Sequence, residues 1–306
     1  MHRKSLRLFA LLVLPLVAFL SPAHAALRVL ACEPEWGALV QELGAGLVDV
    51  SVATSALQDP HQIQAKPSLI ARTRNADLVV CTGAELEIGW LPLLLQQSGN
   101  AKVQPGQPGN FAAADFVRKL EVPTQLDRAQ GDVHASGNPH IQTDPRNIAL
   151  VANALGARLQ QIDPAHAAQY AKAQADFAQK WQQAIARWSA QAAPLRGTAV
   201  VSQHKAFAYL YDWLGLKEVA VLEPKPGVEP SAAHLQSVLA ALKATPAKMV
   251  LHAAYQDPKP SEWLGRNAGV AVVEVPFTVG GSAAAKDLYG LFDDTVARLL
   301  AGAAKP

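Results

Sequence analysis

The sequence lacks the signatures on which most enzymatic readings rest. It contains no Ser/His/Asp triad arrangement, no His-Glu-x-x-His helix, no Walker loop and no Gly-x-Gly-x-x-Gly, so hydrolase, metalloprotease and nucleotide-binding readings have no motif behind them. Beyond the first 25 residues no stretch approaches the run of about 20 apolar residues that a spanning helix needs. Positive charge is not in real excess either. The 27 Lys and Arg outnumber the 25 Asp and Glu only because Arg3, Lys4 and Arg7 stand at the start. Those three precede an apolar run from Leu8 to Leu20 and then Ala23-His24-Ala25, the layout of a secretory signal peptide cleaved after Ala25. Without residues 1–25 the balance is 24 basic to 25 acidic, which offers no basic field to nucleic acid or to an anionic membrane surface. The expected destination is a Gram-negative periplasm, with no cysteine at the cleavage point to carry a lipid.

Cysteine is scarce: Cys32 and Cys81 are the only two. Each closes a strand-like stretch, Leu27 to Ala31 and Ala76 to Val80. If those strands are neighbours in one parallel sheet, both thiols lie at its carboxyl edge, near disulfide distance. A disulfide is the preferred reading, ahead of two buried free thiols and of thiolate metal ligation.

What the chain does have is a regular alternation of short apolar strands and amphipathic helices, the pattern of α/β units built on parallel sheets. Strands are expected at Leu27–Ala31, Val48–Ala53, Asp77–Val80, Ala199–Ser202, Glu218–Leu222, Lys248–Leu251 and Val270–Val275. Residues 98–139 are rich in Gly, Pro, Asn and Gln and read as loop, with one strand-like piece at Lys119–Val122. Asp144-Pro145 is a helix start, an N-cap followed by proline at the first helical position. The following Ile148, Val151, Leu155, Leu159 and Ile162 fall on one helical face. A longer helix is expected over residues 165–192, with Tyr170, Phe177, Trp181, Ile185 and Trp188 on one side. The expected organisation is a signal peptide (1–25), an N-terminal α/β lobe (26–164), a linking helix (165–192) and a C-terminal α/β lobe (193–306). Each lobe would be a parallel sheet flanked by helices, with a cleft between them.

Three of the nine histidines occupy comparable positions. His61 follows Asp59-Pro60 after a strand, His140 stands in a turn ahead of the Asp144 helix, and His204 follows the strand Ala199–Ser202. In open α/β sheets ligands bind beyond the carboxyl ends of the strands, so these imidazoles point to a metal site between the lobes. His252 also ends a strand pattern, and His134 lies on the loop that delivers His140. His166 and His234 fall on helix patterns and read as surface residues.

Asp59-Pro60-His61, Gly137-Asn138-Pro139-His140 with Asp144-Pro145, and Ser202-Gln203-His204-Lys205-Ala206-Phe207-Ala208-Tyr209 together resemble the periplasmic zinc and manganese solute-binding proteins of ABC importers. Ala76-Asp77-Leu78-Val79-Val80 with Gly83, and Glu229-Pro230-Ser231, fit the same pattern, and the resemblance spans essentially the whole chain after residue 25. It implies that His61, His140 and His204 are the three nitrogen ligands, that the cargo is Zn2+ and that the partner is an inner-membrane ABC permease served by a monomer. Histidine at 204 tips the resemblance towards zinc, since manganese members tend to carry glutamate there. The sequence departs from the family at the fourth ligand. Where members usually show Asp before Pro-Leu-Gly, this chain has Val275-Pro276-Phe277. That leaves water, Glu274, the Gly280-Gly281 loop or His252 as candidates for the fourth position, with His134 as an accessory or ingress residue. The family's histidine-rich loop is also missing. Glu33, Glu35 and Trp36 are expected on the cleft side in a supporting role.

A Mn2+ or Fe2+ importer component is the nearest alternative. A zinc enzyme is the alternative of a different class, because three histidines and a water also make catalytic zinc sites. A surface adhesin or metal buffer with the same fold is the third.

Overall fold

The computed structural model describes residues 26–124, 134–225 and 227–305. The signal segment expected over residues 1–25 lies outside them, as do residues 125–133 of the long loop.

The first lobe runs β1 (Leu27–Ala31), α1 (Pro34–Leu43), β2 (Val48–Val52), α2 (Pro67–Asn75), β3 (Leu78–Cys81), α3 (Leu91–Ser98) and β4 (Asn110–Ala112). Two helices then intervene, α4 (Pro145–Ile162) and α5 (Ala167–Gln191). The second lobe runs β5 (Ala199–Ser202), α6 (Ala208–Leu214), β6 (Lys217–Val221), α7 (Ala232–Ala244), β7 (Met249–Ala253), α8 (Lys259–Ala268), β8 (Ala271–Val275) and α9 (Leu288–Ala304). The two sheets repeat one design. Their strand orders are β2-β1-β3-β4 and β6-β5-β7-β8, and every pairing is parallel.

Two expectations for the region 98–139 need correction. Lys119–Val122 is not a strand, and Asn110–Ala112, read from the sequence as loop, is the edge strand β4 that pairs with β3. A three-residue strand supplies too little alternation to register as a pattern, and its Asn110 and Gly109 mimic turn residues.

Each sheet is covered on both faces, as parallel sheets require. On the outer face of the first sheet Leu30 and Val79 pack with Leu94, Leu95 and Trp90. On the outer face of the second, Val201 and Val250 pack with Val238, Leu242 and Leu264. The inner faces do not form separate cores. One continuous buried cluster runs from Val29 and Val80 through Ile148, Val151 and Leu155 of α4 and Phe177, Trp181 and Trp188 of α5, on to Val200, Leu251, Phe292 and Leu299. Helix α5 is bonded to both sides. Trp181 Nε1 donates to the Pro145 carbonyl at 2.8 Å, and Trp188 Nε1 donates to Asp293 of α9.

β1 and β3 are adjacent, with Ala31 opposite Val80, so the next residues face each other as well. Cys32 and Cys81 are disulfide-bonded there, with Cα atoms 4.8 Å apart and a sequence separation of 49.

Candidate metal centre

The carboxyl ends of β1, β2 and β3 in one lobe and of β5 in the other face a shared seam, and the chain leaves each strand there in a non-repetitive segment. His61 lies in the segment after β2. It is fixed by Trp90 Nε1, which donates to the Pro60 carbonyl at 2.8 Å, and by an Asx turn in which Asp59 Oδ1 accepts from His61 N at 3.0 Å. His140 precedes a 3-10 turn over Ile141–Thr143 that runs into α4. Asn138 Oδ1 accepts from its backbone N at 3.0 Å, and Thr143 Oγ1 donates to its carbonyl at 2.9 Å. Helix α4 begins as the sequence indicates: Asp144 caps it, accepting from Arg146 N at 2.7 Å, with Pro145 next. His204 follows β5 within two residues, where Gln203 N donates to the Leu251 carbonyl at 2.8 Å.

These three segments bring three imidazoles together. Ring centroids are 5.3 Å apart for His61 and His140, 5.9 Å for His61 and His204, and 5.6 Å for His140 and His204. One nitrogen from each lies within 4.8 Å of the others. The three rings meet near edge-on, at 75° to 80°, so their in-plane lone pairs can converge on one point.

Hydrogen bonds orient two of the three rings. Carboxylates only accept hydrogen bonds. His61 Nδ1 therefore donates to Asp59 Oδ1 and His204 Nδ1 to Glu223 Oε2, both at 2.7 Å, which places the lone pair of each ring on Nε2. Among the described residues, His61 Nε2 is buried with no hydrogen-bond partner, and so is His140 Nδ1. Buried polar atoms without partners are rare, and two on converging rings make a set of donors that could hold a cation. His140 is 1% exposed. Burial, followed by the neighbouring His61, His204 and His134, holds its pKa well below the ordinary imidazole value, so the ring is neutral. Burial would raise the Asp59 carboxyl, but its bonds to His61 and the nearby imidazole charge outweigh this and hold it below the usual range.

The remaining candidates fall elsewhere. Glu274 is half exposed and pairs with Arg298 at 3.4 Å, directed to solvent. His252 is buried on β7, where alternation puts it on the Val250 side of the sheet, and its Nδ1 contacts the Ala253 carbonyl at 3.2 Å. Neither joins the trio. His134 stands beside it, stacked on His61 with centroids 5.4 Å apart and planes 26° from parallel. Two stacked rings do not aim in-plane lone pairs at a common ion, so His134 in this pose buttresses His61. Phe277 walls the other side, its ring 5.4 Å from that of His140. Val275 is buried and apolar and offers no ligand atom.

Glu33 and Glu35 are buried at the seam but bond to neither imidazole partner nor ligand. Glu33 Oε2 accepts from Thr82 Oγ1 at 3.0 Å, Glu87 Oε1 accepts from Thr82 N at 2.7 Å, and Thr278 Oγ1 donates to Glu35. Trp36 Nε1 donates to Thr82 Oγ1 at 2.8 Å. Burial pushes the Glu35 and Glu87 carboxyls up to about 7, and burial with the neighbouring Glu87 and Glu35 pushes Glu33 well above its usual value. Glu87 also lies within 4.8 Å of the Cys32 and Cys81 sulfurs, which are committed to each other and so are not thiolate ligands.

Sequence reasoning missed the partners of the ligands. Asp59, two residues before His61, carried the signal of an Asx turn. Glu223, 19 residues after His204, carried none, because its position depends on the pairing of β6 with β5.

Comparison with known proteins follows the same lines. The sequence profile of the family described as zinc-uptake complex component A, periplasmic, matches residues 29–302. The zinc-binding lipoprotein AdcA of Streptococcus pneumoniae R6 is 24% identical over 198 residues, 64% of this chain, and the chain spans only 38% of that protein's length. The manganese ABC transporter substrate-binding lipoprotein PsaA of S. pneumoniae is 22% identical over 226 residues, covering 72% of this chain and 70% of PsaA. ZnuA of Brucella abortus 2308, described as a high-affinity zinc uptake system protein, is 27% identical over 120 residues, 39% of this chain and 36% of its own. A crystal structure of ZnuA superposes with a TM-score of 0.73 at 22% identity, covering 90% of this chain and 99% of that one. A manganese-bound periplasmic metal-binding protein from Candidatus Liberibacter asiaticus gives 0.73 at 18% identity, covering 90% and 98%. With a profile match over almost all described residues and two lobes of the same architecture, this chain belongs to the zinc-uptake complex component A family.

Proposed function

We propose that the protein captures Zn2+ in the periplasm with His61, His140 and His204 and delivers it, as a monomer, to an inner-membrane ABC permease. As a member of a family of uptake components, the chain is a binding protein rather than an enzyme. The observation that carries the reading is the pair of buried, partnerless nitrogens on His61 and His140, on rings that converge with His204. The donor set supports zinc as the cargo. Three imidazoles, two of them oriented by carboxylates, suit a borderline ion that is content with four-coordination, and water can complete the tetrahedron. Manganese favours oxygen donors, and among the described residues no carboxylate oxygen is gathered with the three nitrogens. The relatives include both zinc and manganese binders, so the choice of metal rests on this donor set.

Calorimetric titration of metal-free protein tests the reading, and one tight zinc site per chain is expected. Zinc affinities of about 10–16 kcal/mol shared over four ligands average about 3 kcal/mol each. His140→Ala should therefore weaken binding by at least about a hundredfold. Unchanged affinity in that variant rejects the assignment, and manganese outcompeting zinc rejects the choice of cargo.

A further inference from the structure

The loop that follows β8 makes contacts that the metal ligands do not require. Phe277 adopts a left-handed backbone, φ +70°, which costs a non-glycine residue about 1 kcal/mol or more and persists only when its surroundings impose it. What imposes it is visible on both sides. The Phe277 ring is buried edge-on to His140 at 5.4 Å, and it also meets Tyr255 at 5.4 Å and Phe207 at 6.1 Å. The next residue, Thr278, donates its hydroxyl across the seam to Glu35 in the first turn of α1, 243 residues earlier. Glu35 is 1% exposed and its other oxygen has no partner, so Thr278 is its one side-chain hydrogen-bond partner among the described residues. The loop is tight: a Cβ at Gly281 would fall 1.8 Å from the Pro276 carbonyl oxygen. Rigid between the two contacts, it transmits the position of α1 to the ring of His140.

We infer that Thr278 and Glu35 are positioning residues for metal binding, an interlobe latch that seats Phe277 against His140 and so sets how fast the bound ion leaves. The inference rests on the zinc-binding reading and adds to it a control point outside the ligand set. With the latch made, Phe277 confines His140 to the rotamer that faces His61 and His204. With it broken, the loop loses its tie to the first lobe and the His140 ring gains freedom.

The test is zinc release from the full chain into excess chelator, followed by stopped flow, with equilibrium affinity measured alongside. Thr278→Val keeps the shape and removes the hydroxyl, which leaves a buried acceptor unpaired. It should release zinc about five to ten times faster than the wild type, the effect of one buried hydrogen bond. Thr278→Ser restores the donor and should return the rate to within about twofold of the wild type. Circular dichroism of each metal-free variant checks that it is folded, and Glu35→Leu provides a second break should Thr278→Val fail to fold. Release from folded Thr278→Val at the wild-type rate overturns the latch, as does a serine variant as fast as the valine one. Failure of the wild type itself to bind zinc overturns the functional reading instead.

Discussion

Glu223 never touches the proposed ion, yet the geometry makes zinc affinity depend on it. Its Oε2 accepts from His204 Nδ1 at 2.7 Å and from Gly227 N at 2.8 Å, so one carboxylate oxygen fixes both the tautomer and the orientation of the imidazole. Glu223→Ala removes that acceptor. The His204 ring can then place its proton on Nε2, where it blocks ligation, and can turn about its χ angles. Loss of such a carboxylate partner lowers metal affinity by about 10–100-fold, or roughly 1.4–2.7 kcal/mol. Asp59 performs the same task for His61. Because both rings would share one ion and stand 5.9 Å apart, the two effects should couple, so the double variant should lose at least as much as the weaker single variant and up to about 10,000-fold. Competition titration against a chelator of known zinc affinity reads all three variants on one scale. A Glu223→Ala protein that binds zinc like the wild type, while remaining folded, would show that His204 is not oriented through Nδ1 and would remove it from the ligand set.

Two buried carboxyls and one buried imidazole pull the pH dependence of the metal-free protein in opposite directions, since His140, held neutral by burial, adds stability as pH rises towards the ordinary imidazole value. Glu35 and Glu87 titrate at about 7 in the fold against about 4.5 when unfolded, so between those values the native state holds protons that the unfolded chain has released. The contribution of these two carboxyls should therefore fall as pH rises from about 4.5 to 7, and Glu87→Gln should shift the slope of stability against pH upward, towards more positive values, in urea titrations. Breaking the Cys32–Cys81 bond, which closes 49 residues, should cost up to about 4 kcal/mol on the chain-entropy account, seen as a lower melting temperature of Cys32→Ser/Cys81→Ser. Because one core runs through both lobes, calorimetry should show a single unfolding transition, and two separate ones would contradict the continuity of that core.

Much of this was legible in the sequence because parallel sheets leave a strong trace. Apolar runs such as Leu78-Val79-Val80 and Met249-Val250-Leu251 are buried on both faces, and the Asp144-Pro145 signal depends only on local backbone chemistry. Candidate ligands were legible for the same reason, since each closely follows a strand or precedes a helix. Long-range partners were not. The contacts of Glu223 with His204 and of Glu35 with Thr278 join segments whose separation in the chain says nothing about their separation in space. The fourth position illustrates the difference. Glu274 has ligand chemistry, but strand alternation in β8 turns it outward to Arg298, while the buried neighbours Val275 and Phe277 have none.

The continuous core also decides which ligand can move. His140 leads directly into α4, whose first residue Pro145 accepts from Trp181 in the middle of α5, so displacing His140 would disturb the aromatic packing that both lobes share. His204 leaves β5, a strand paired on both sides, and its neighbour Gln203 is held by Leu251, Asp257 and Ser261. His61 is different. It rides on residues 53–66, which have no regular structure between β2 and α2; Ala53 and Thr54 tie the start of the segment to the end of β1, and an indole bond to Pro60 holds it near His61. A helix such as α5, bonded at Pro145 and again at Asp293, does not act as a wide hinge. With the Thr278–Glu35 contact intact and His140 held, release should accordingly proceed by movement of the His61 segment while His140 and His204 keep their separation. Amide hydrogen exchange of zinc-loaded and metal-free protein measures this directly. The expected result is a gain in protection on loading concentrated at residues 53–66 and little change in α4, α5 and β5, whereas protection changes spread evenly through α5 would mean that the lobes swing as bodies.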